Sequence, residues 1–396
     1  MKIGIDARFW DESGVGRYTR NLVEQLQEID KTNEYVLFVS SKVYQEIKNQ
    51  TLPAGRQESK IKNNKNWKLV ETAIHWHSIG EQFKFPQIIN RENLDLMHFP
   101  YFSVPVFYHK PFVVTIHDLI LHHFATGEAT TGSRLVYYLK LLGYKFIIKT
   151  SARKAKKIIT VSKATKVEVI KHLHVPEEKI TVIYEGAFSP PQPPLIRGGV
   201  QTSPPEKGEL EGVLLDYLLH VGNLYPHKNM DLLLKTFMKI KDGENLPVQL
   251  IIAGKEDYFY YKFQKKVKEL GLQNQILFMG EISDSKLQYL YQNALALIST
   301  SLMEGFDLPT IEAMNNNCLV LASDIPVHRE ICENIAIYFD PEKKEDLISK
   351  IKEVCSNGKE KYKEKIENGK SRASKFNWQQ MAKETMKVYE EILNIT

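Results

Sequence analysis

ALALISTSLMEGFDLPTIEAM, residues 294–314, is the stretch whose reading decides the fold. Its opening apolar run reads as a buried strand that ends near Ser299. Pro309 stands where the first turn of a helix would begin, a place suited to its fixed φ and missing N–H. The helix then continues through Ile311, Ala313 and Met314. In open α/β sheets ligands bind at the carboxyl ends of the strands. Glu304 therefore falls in the loop where a substrate would lie. The backbone N–H groups from Phe306 to Thr310 form a natural seat for an anion. Each glutamate also has a plainer reading: Glu312 suits the positive end of any helix, and Glu304 suits a solvated loop.

Outward from this stretch, short apolar runs alternate with amphipathic ones along the whole chain. KIGID, EYVLFVS, LDLMHF, PFVVTI, KKIITVS and KITVIY predict buried strands in the first half; LLDYLLHVG, VQLIIAG, QILFMG, ALALIST, CLVLAS and IAIYF do so in the second. Helical patterns such as GRYTRNLVEQLQEI and MDLLLKTFMKIK lie between them. Such alternation predicts α/β architecture with parallel sheets covered by helices, and two series predict two Rossmann-like domains. The expected division is 1–188 for the first domain, 189–212 for a linker insertion rich in proline and glycine, and 213–375 for the second domain. A last helix over 376–396 is expected to return to the first domain. A polar insertion is expected at 51–66.

Bulk composition narrows the classes. The 396 residues suit two domains better than one core. A hydrophobic fraction of 43%, a charged fraction of 26% and a net charge of +5 describe an ordinary globular protein, with no reason to invoke nucleic acid. The three cysteines, Cys318, Cys332 and Cys355, have no metal or redox spacing and suit a reducing compartment. MKIGIDARFW enters a strand directly, so no signal peptide is expected, and no apolar run reaches membrane-span length. The expected location is the cytoplasm, with the inner face of the cell membrane as a peripheral site.

Four further stretches carry chemistry. In LLHVGNLYPHKNMDLLL (218–234), Gly222 permits a sharp turn and Asn229 suits an N-cap. Lys228 stands beside that helix start, which is unfavourable for a cation unless an anion is present; an exposed, solvated lysine is the plainer reading. In DARFWDESGVGRYTRNL (6–22), Gly14 and Gly16 let backbone approach a phosphate before a helix beginning near Arg17, or simply make a turn. The third glycine of a dinucleotide fingerprint is missing. In PFVVTIHDLILHHF (111–124), His117 ends a strand; the HDxxxHH spacing matches no standard zinc site, so no metal is expected. HWH at 75–77 has no comparable context. Residues 134–157 are basic and aromatic with no acidic residue among them. They read either as a solvated helix face or as a surface helix at an anionic membrane.

The two glutamates of residues 304–312, with seven residues between them and EGF and LP inside the motif, resemble the family-four retaining glycosyltransferases of the GT-B type. The resemblance spans nearly the whole chain. It implies two Rossmann-like domains facing each other across a cleft, a nucleotide diphosphate sugar as donor, and no cofactor. It implies that Glu304 holds the donor sugar near the reacting carbon and that Glu312 binds the ribose. Lys228 would bind the diphosphate, helped by the loop of Gly222 and Asn223 and by Gly305, Phe306, Asp307 and Leu308. Gly16 and Arg17 would close over the donor, and His117 would contact its sugar. Two departures stand out. The family usually has glycine at Asp307, whose side chain would alter sugar contacts. It often has arginine at Asn223, which leaves more of the phosphate binding to Lys228.

The reading that follows is a retaining glycosyltransferase moving a sugar, mannose first, from GDP-mannose to a hydroxyl of a polysaccharide or lipid-linked acceptor. EGFDLP and VGN…PHKN look most like mannosyltransferases of cell-surface polysaccharide assembly, including lipopolysaccharide. The alternatives are a sugar-nucleotide epimerase of similar fold and a non-catalytic nucleotide-sugar-binding protein. A nicotinamide dehydrogenase is disfavoured by the missing glycine fingerprint.

Overall fold

The computed structural model describes residues 1–12, 14–49, 65–125, 127, 134–187, 216–244 and 246–394. The linker expected at 189–212 and residues 51–64 of the expected insertion lie outside these. The chain divides into two compact units, Met1–Gly186 with Asn377–Thr396, and Ala187–Phe376.

The first unit holds a seven-stranded sheet: β1 (Lys2–Asp6), β2 (Glu34–Ser40), β3 (Trp67–Thr72), β4 (Leu96–Phe99), β5 (Phe112–Ile116), β6 (Lys157–Thr160) and β7 (Ile180–Val182). All neighbours pair parallel in the order β3-β2-β1-β4-β5-β6-β7. Its helices are α1 (Gly14–Ile29), α2 (Ser41–Asn49), α3 (Ile79–Arg91), α4 (Ile120–His123), α5 (Arg134–Lys154) and α6 (Lys163–Leu173). Strand β3 escapes the apolar reading because it is an edge strand whose side chains are mostly half-exposed. It is held by backbone pairing to β2 and by Trp67 stacked on Tyr35 at 4.3 Å.

The second unit holds six parallel strands: β8 (Tyr217–Val221), β9 (Gln249–Ala253), β10 (Ile276–Gly280), β11 (Ala296–Ser299), β12 (Val320–Ser323) and β13 (Ile337–Phe339). Their order is β10-β9-β8-β11-β12-β13. Helices α7 (Met230–Lys239), α8 (Tyr258–Glu269), α9 (Asp284–Asn293), α10 (Leu308–Asn315), α11 (Pro326–Cys332), α12 (Lys344–Asn357) and α13 (Lys363–Ala373) cover the sheet. Helix α7 shows why: Met230, Leu233, Leu234 and Phe237 recur at helical spacing and are all buried, in one core with Leu218, Leu250 and Ile252. Burying each such side chain contributes roughly 2 kcal/mol.

The last helix, α14 (Trp378–Asn394), belongs to the first unit and lies against α1. Met381, Thr385, Val388, Tyr389 and Ile392 form its buried stripe. The Tyr389 hydroxyl sits 2.6 Å from His98 Nδ1, and His98 Nε2 is 2.9 Å from Thr115 Oγ1, so the helix is keyed to β4. Burial, then the neighbouring His117, lowers the His98 pKa to about 3, which keeps its imidazole neutral.

Candidate active site

In the second unit the strand order reverses between β8 and β11, and such switch points form the ligand crevices of open α/β sheets. The loops leaving these two strands therefore run side by side. After β8, Gly222 takes φ +130, a conformation that disfavours a side chain. The Oδ1 atom of Asn223 is buried with no hydrogen-bond partner. The chain then makes a short 3-10 turn over Pro226–Lys228. Asn229 stands at the N-cap position of α7 as expected, but its side chain makes no capping hydrogen bond. It adopts a left-handed conformation, and its Nδ2 donates to the Pro341 carbonyl at 3.0 Å, tying the loop to the segment after β13.

Two hydrogen bonds stitch the loop after β11 to this turn. Thr300 Oγ1 donates to the Lys228 carbonyl and Leu302 N–H to the His227 carbonyl, each at 2.7 Å. They bring Lys228 Nζ to 2.6 Å from Glu304 Oε1, with the two side chains only 11% and 8% exposed. The Ser301 hydroxyl donates to the same carboxylate oxygen. The anion that the position of Lys228 calls for is thus supplied by the protein. Removing either partner of so buried a pair leaves an uncompensated charge.

Gly305, Phe306 and Asp307 are buried, and Phe306 meets Phe376 edge-on at 5.6 Å. Leu308 opens α10, and Pro309 occupies its first turn as expected. The expected anion seat is narrower than the sequence implied, because the Thr310 N–H donates to the Asp307 carbonyl at 3.0 Å. Asp307 itself is left-handed, with φ 64, which aspartate tolerates better than most residues. Its carboxylate turns into the domain. Ser299 Oγ donates to Oδ2 at 3.0 Å, and His328 Nε2 lies 3.0 Å from the same oxygen. His328 Nδ1 lies 2.8 Å from the Ser323 carbonyl, so both ring nitrogens face acceptors. Burial opposes charge on both groups, but their mutual hydrogen bond and attraction hold the Asp307 carboxyl below its usual range and the His328 imidazole above its own. The Asp307 carboxylate is thus engaged by His328 and Ser299, because the left-handed turn points it inward.

Glu312 is buried one turn into α10 and accepts a hydrogen bond from the Tyr291 hydroxyl at 3.1 Å. Glu304 and Glu312 thus keep different company. Sequence reasoning missed Ser299, Ser301, Tyr291 and His328. The one available signal was that His328 follows the carboxyl end of β12, as Lys228 follows β8.

In the first unit, Gly14 and Gly16 lie inside α1, which begins three residues before Arg17. A Cβ at Gly16 would stand 2.5 Å from the Trp10 carbonyl and 2.6 Å from that of Phe9, so this glycine is required where helix and loop meet. Arg17 is half-buried, and its carbonyl accepts from Asn21 Nδ2. His117 Nδ1 is 3.1 Å from Glu185 Oε1, and Nε2 is 2.9 Å from the Pro100 carbonyl. Burial works against its charge, but Glu185 and the carbonyl raise its pKa. Both ring nitrogens are engaged within the first unit. Beside β1 lies a buried triad that the sequence did not reveal: Arg8 reaches Asp6 at 2.7 Å and Glu81 at 2.6 Å.

Comparison with known proteins bears on the whole chain. Residues 13–187 match the family described as Glycosyltransferase Family 4, and residues 214–372 match Glycosyl transferases group 1. O-antigen chain mannosyltransferase RfbU of Salmonella typhimurium is 29% identical over 279 residues, covering 70% of each chain. O-antigen chain mannosyltransferase B of Escherichia coli is 24% identical over 389 residues, 95% of this chain and 96% of its own. Among solved structures, Anabaena Alr3699/HepE in complex with UDP and glucose superposes with a TM-score of 0.68 at 16% identity, over 99% of this chain and 100% of its own, which speaks to the fold. Among the described residues no helix is long and apolar enough to cross a membrane. With both family domains in order, two parallel-sheet α/β units and GT-B structural neighbours, this chain belongs to the GT-B glycosyltransferases.

Proposed function

We propose that this glycosyltransferase moves mannose from GDP-mannose to a hydroxyl of a polysaccharide or lipid-linked acceptor, with retention at the anomeric carbon. The observation that carries the reading is the Lys228–Glu304 pair beside the α10 N-terminus at the switch point. Alignment along 95% of the chain with an O-antigen chain mannosyltransferase supports the choice of mannose.

In this reading the leaving diphosphate takes the Lys228 ammonium away from Glu304 and neutralises it, aided by backbone N–H groups at the start of α10. The freed Glu304 carboxylate then orients the sugar and stabilises the positive charge that develops at its anomeric carbon. Glu312 accepts from the ribose. The acceptor oxygen attacks from the side of the leaving group. Its bond to the anomeric carbon forms as the bond to the diphosphate breaks, and its proton passes to a diphosphate oxygen. Positioning and electrostatics do the catalytic work, with no metal in the step. The inward turn of Asp307 leaves it a positioning residue that fixes the loop between Glu304 and α10. His117 acts in the same way on its own domain.

Helix α5 suits a lipid-linked acceptor. Tyr138, Leu139, Leu142 and Phe146 form an outward apolar stripe, each 59–64% exposed, with Lys140 and Lys145 exposed beside them. An anionic bilayer surface at the inner face of the cell membrane matches both the apolar stripe and the positive charge.

The test is an assay of labelled GDP-mannose, UDP-glucose and other nucleotide sugars with a lipid-linked glycan acceptor. Mannose transfer is the expected result. Transfer from UDP-glucose alone would move the donor to the sugar seen in HepE. Turnover of the donor with no acceptor present would favour an epimerase.

A further inference from the structure

The three-residue cluster of His123, Glu168 and His172 has no part in the proposed transfer. His123 closes α4, while Glu168 and His172 are four residues apart on one face of α6. Their ligand atoms all lie within 4.8 Å of one another. His123 Nε2 is 2.7 Å and His172 Nε2 is 3.3 Å from the same oxygen, Glu168 Oε2. The closer imidazole hydrogen-bonds to the carboxylate. The buried Nε2 of His172 has no hydrogen-bond partner despite its proximity.

We propose that His123, Glu168 and His172 form a binding site for a zinc-like divalent ion that clamps α4 to α6. Two imidazole nitrogens and one carboxylate oxygen are a donor set for zinc rather than for magnesium or calcium, which favour all-oxygen shells. On a tetrahedron with bonds of about 2.0–2.1 Å, ligand atoms stand roughly 3.3 Å apart. The His172–Glu168 separation already has that value, and His123 must move by only about half an ångström relative to Glu168. The side chains are 25–35% exposed, so an ion has a path in and water can complete the shell. His172 lies in the last turn of α6, where the negative end of the helix dipole favours a cation.

The position gives the site a purpose. The first turn of α6 already holds the strand end above α4, because Thr165 Oγ1 donates to the His117 carbonyl at 3.1 Å. A metal at the other end of α6 would add a second anchor six residues beyond His117. The clamp stiffens this segment and supplies no step of the transfer reaction.

Titrating zinc chloride into metal-free full-length protein by calorimetry tests the proposal, with cobalt absorption as a probe of tetrahedral geometry. We expect one ion per chain, a higher melting temperature, and slower hydrogen exchange over residues 117–124. His123→Ala and His172→Ala should each weaken binding at least about tenfold, the loss that removing even an outer hydrogen-bond partner of a ligand causes. Both substitutions fall on partly exposed side chains, and an unchanged melting temperature without metal confirms that each variant folds. No binding, or equal binding by wild type and both variants, would overturn the proposal by placing any zinc on other histidines. Binding without slower exchange would overturn the clamp.

Discussion

Lys228 and Glu304, which leave neighbouring strands on either side of the point where the sheet order reverses, meet in an ion pair of 2.6 Å. Seventy-six residues separate them in sequence. Each side chain neutralises the other. Under the proposed reaction a diphosphate would have to compete with Glu304 for the lysine, and donor binding would be coupled to release of the carboxylate proposed to act on the sugar.

Lys228→Ala should abolish tight binding of the nucleoside diphosphate and destabilise the fold by about 3 kcal/mol, because Glu304 is left buried and unpaired. Pairing it with Glu304→Gln should recover most of that stability but none of the binding. Calorimetry for affinity and urea unfolding for stability separate the two effects. Unchanged affinity in Lys228→Ala would remove the lysine from the donor site.

Glu304→Gln and Glu312→Gln should fail differently. The first removes the charge proposed to stabilise the developing sugar cation, so kcat should fall about 100- to 1,000-fold, while donor affinity should hold or rise because Lys228 no longer has to leave Glu304. The second removes a charged acceptor from the ribose and should cost about 1.5–3 kcal/mol of nucleotide binding, with a smaller effect on kcat. Steady-state kinetics and nucleotide titrations check both. The opposite pattern would exchange the assigned roles.

The Asp307–His328 couple should give stability a pH dependence with a defined sign. The raised pKa of His328 makes its contribution complete below about pH 6.5, and the contribution is lost as pH rises through the folded value. The lowered pKa of Asp307 makes its contribution present above about pH 3.9 and lost as pH falls through the folded value. Wild type should therefore lose more stability between pH 6 and pH 9 than His328→Gln does, as read from urea midpoints. Asp307→Gly frees the left-handed turn but strands the histidine, for a net loss of about 2 kcal/mol. Equal pH slopes in wild type and His328→Gln would show that the couple is not charged.

Residues 134–157 should bind anionic vesicles and release them as salt rises. Leu142→Ser with Phe146→Ser should weaken binding without changing the salt response, while Lys140→Ser with Lys145→Ser should flatten it. Sedimentation with anionic and neutral vesicles distinguishes these outcomes. Equal binding to both vesicle types would count against an electrostatic surface.

The parallel strands buried in the sheets were legible because they are nearly continuous apolar runs, and all six of the second unit can be read directly. Edge strand β3 was not, because half-exposed edge positions accept polar residues such as Lys68 and Glu71. Lys228, Glu304 and Glu312 could be singled out because loop and helix-start positions after strands are local features. The partners could not. The Lys228–Glu304 pair, the inward turn of Asp307 onto His328 and the Tyr291 bond to Glu312 all depend on which strands become neighbours. Gly16 was left between two readings for the same reason: its crowding comes from the Trp10 and Phe9 carbonyls, and a short glycine pattern looks alike whether backbone or phosphate fills the space.

The stereochemistry of the product tests the central claim most directly. GDP-mannose carries an α linkage, and front-face attack beside Glu304 preserves it. NMR of the glycan formed from GDP-mannose should show an α-mannosyl residue in the product. A β-mannosyl product would mean attack from the face opposite the diphosphate, and it would contradict the roles assigned to Glu304 and to the leaving group.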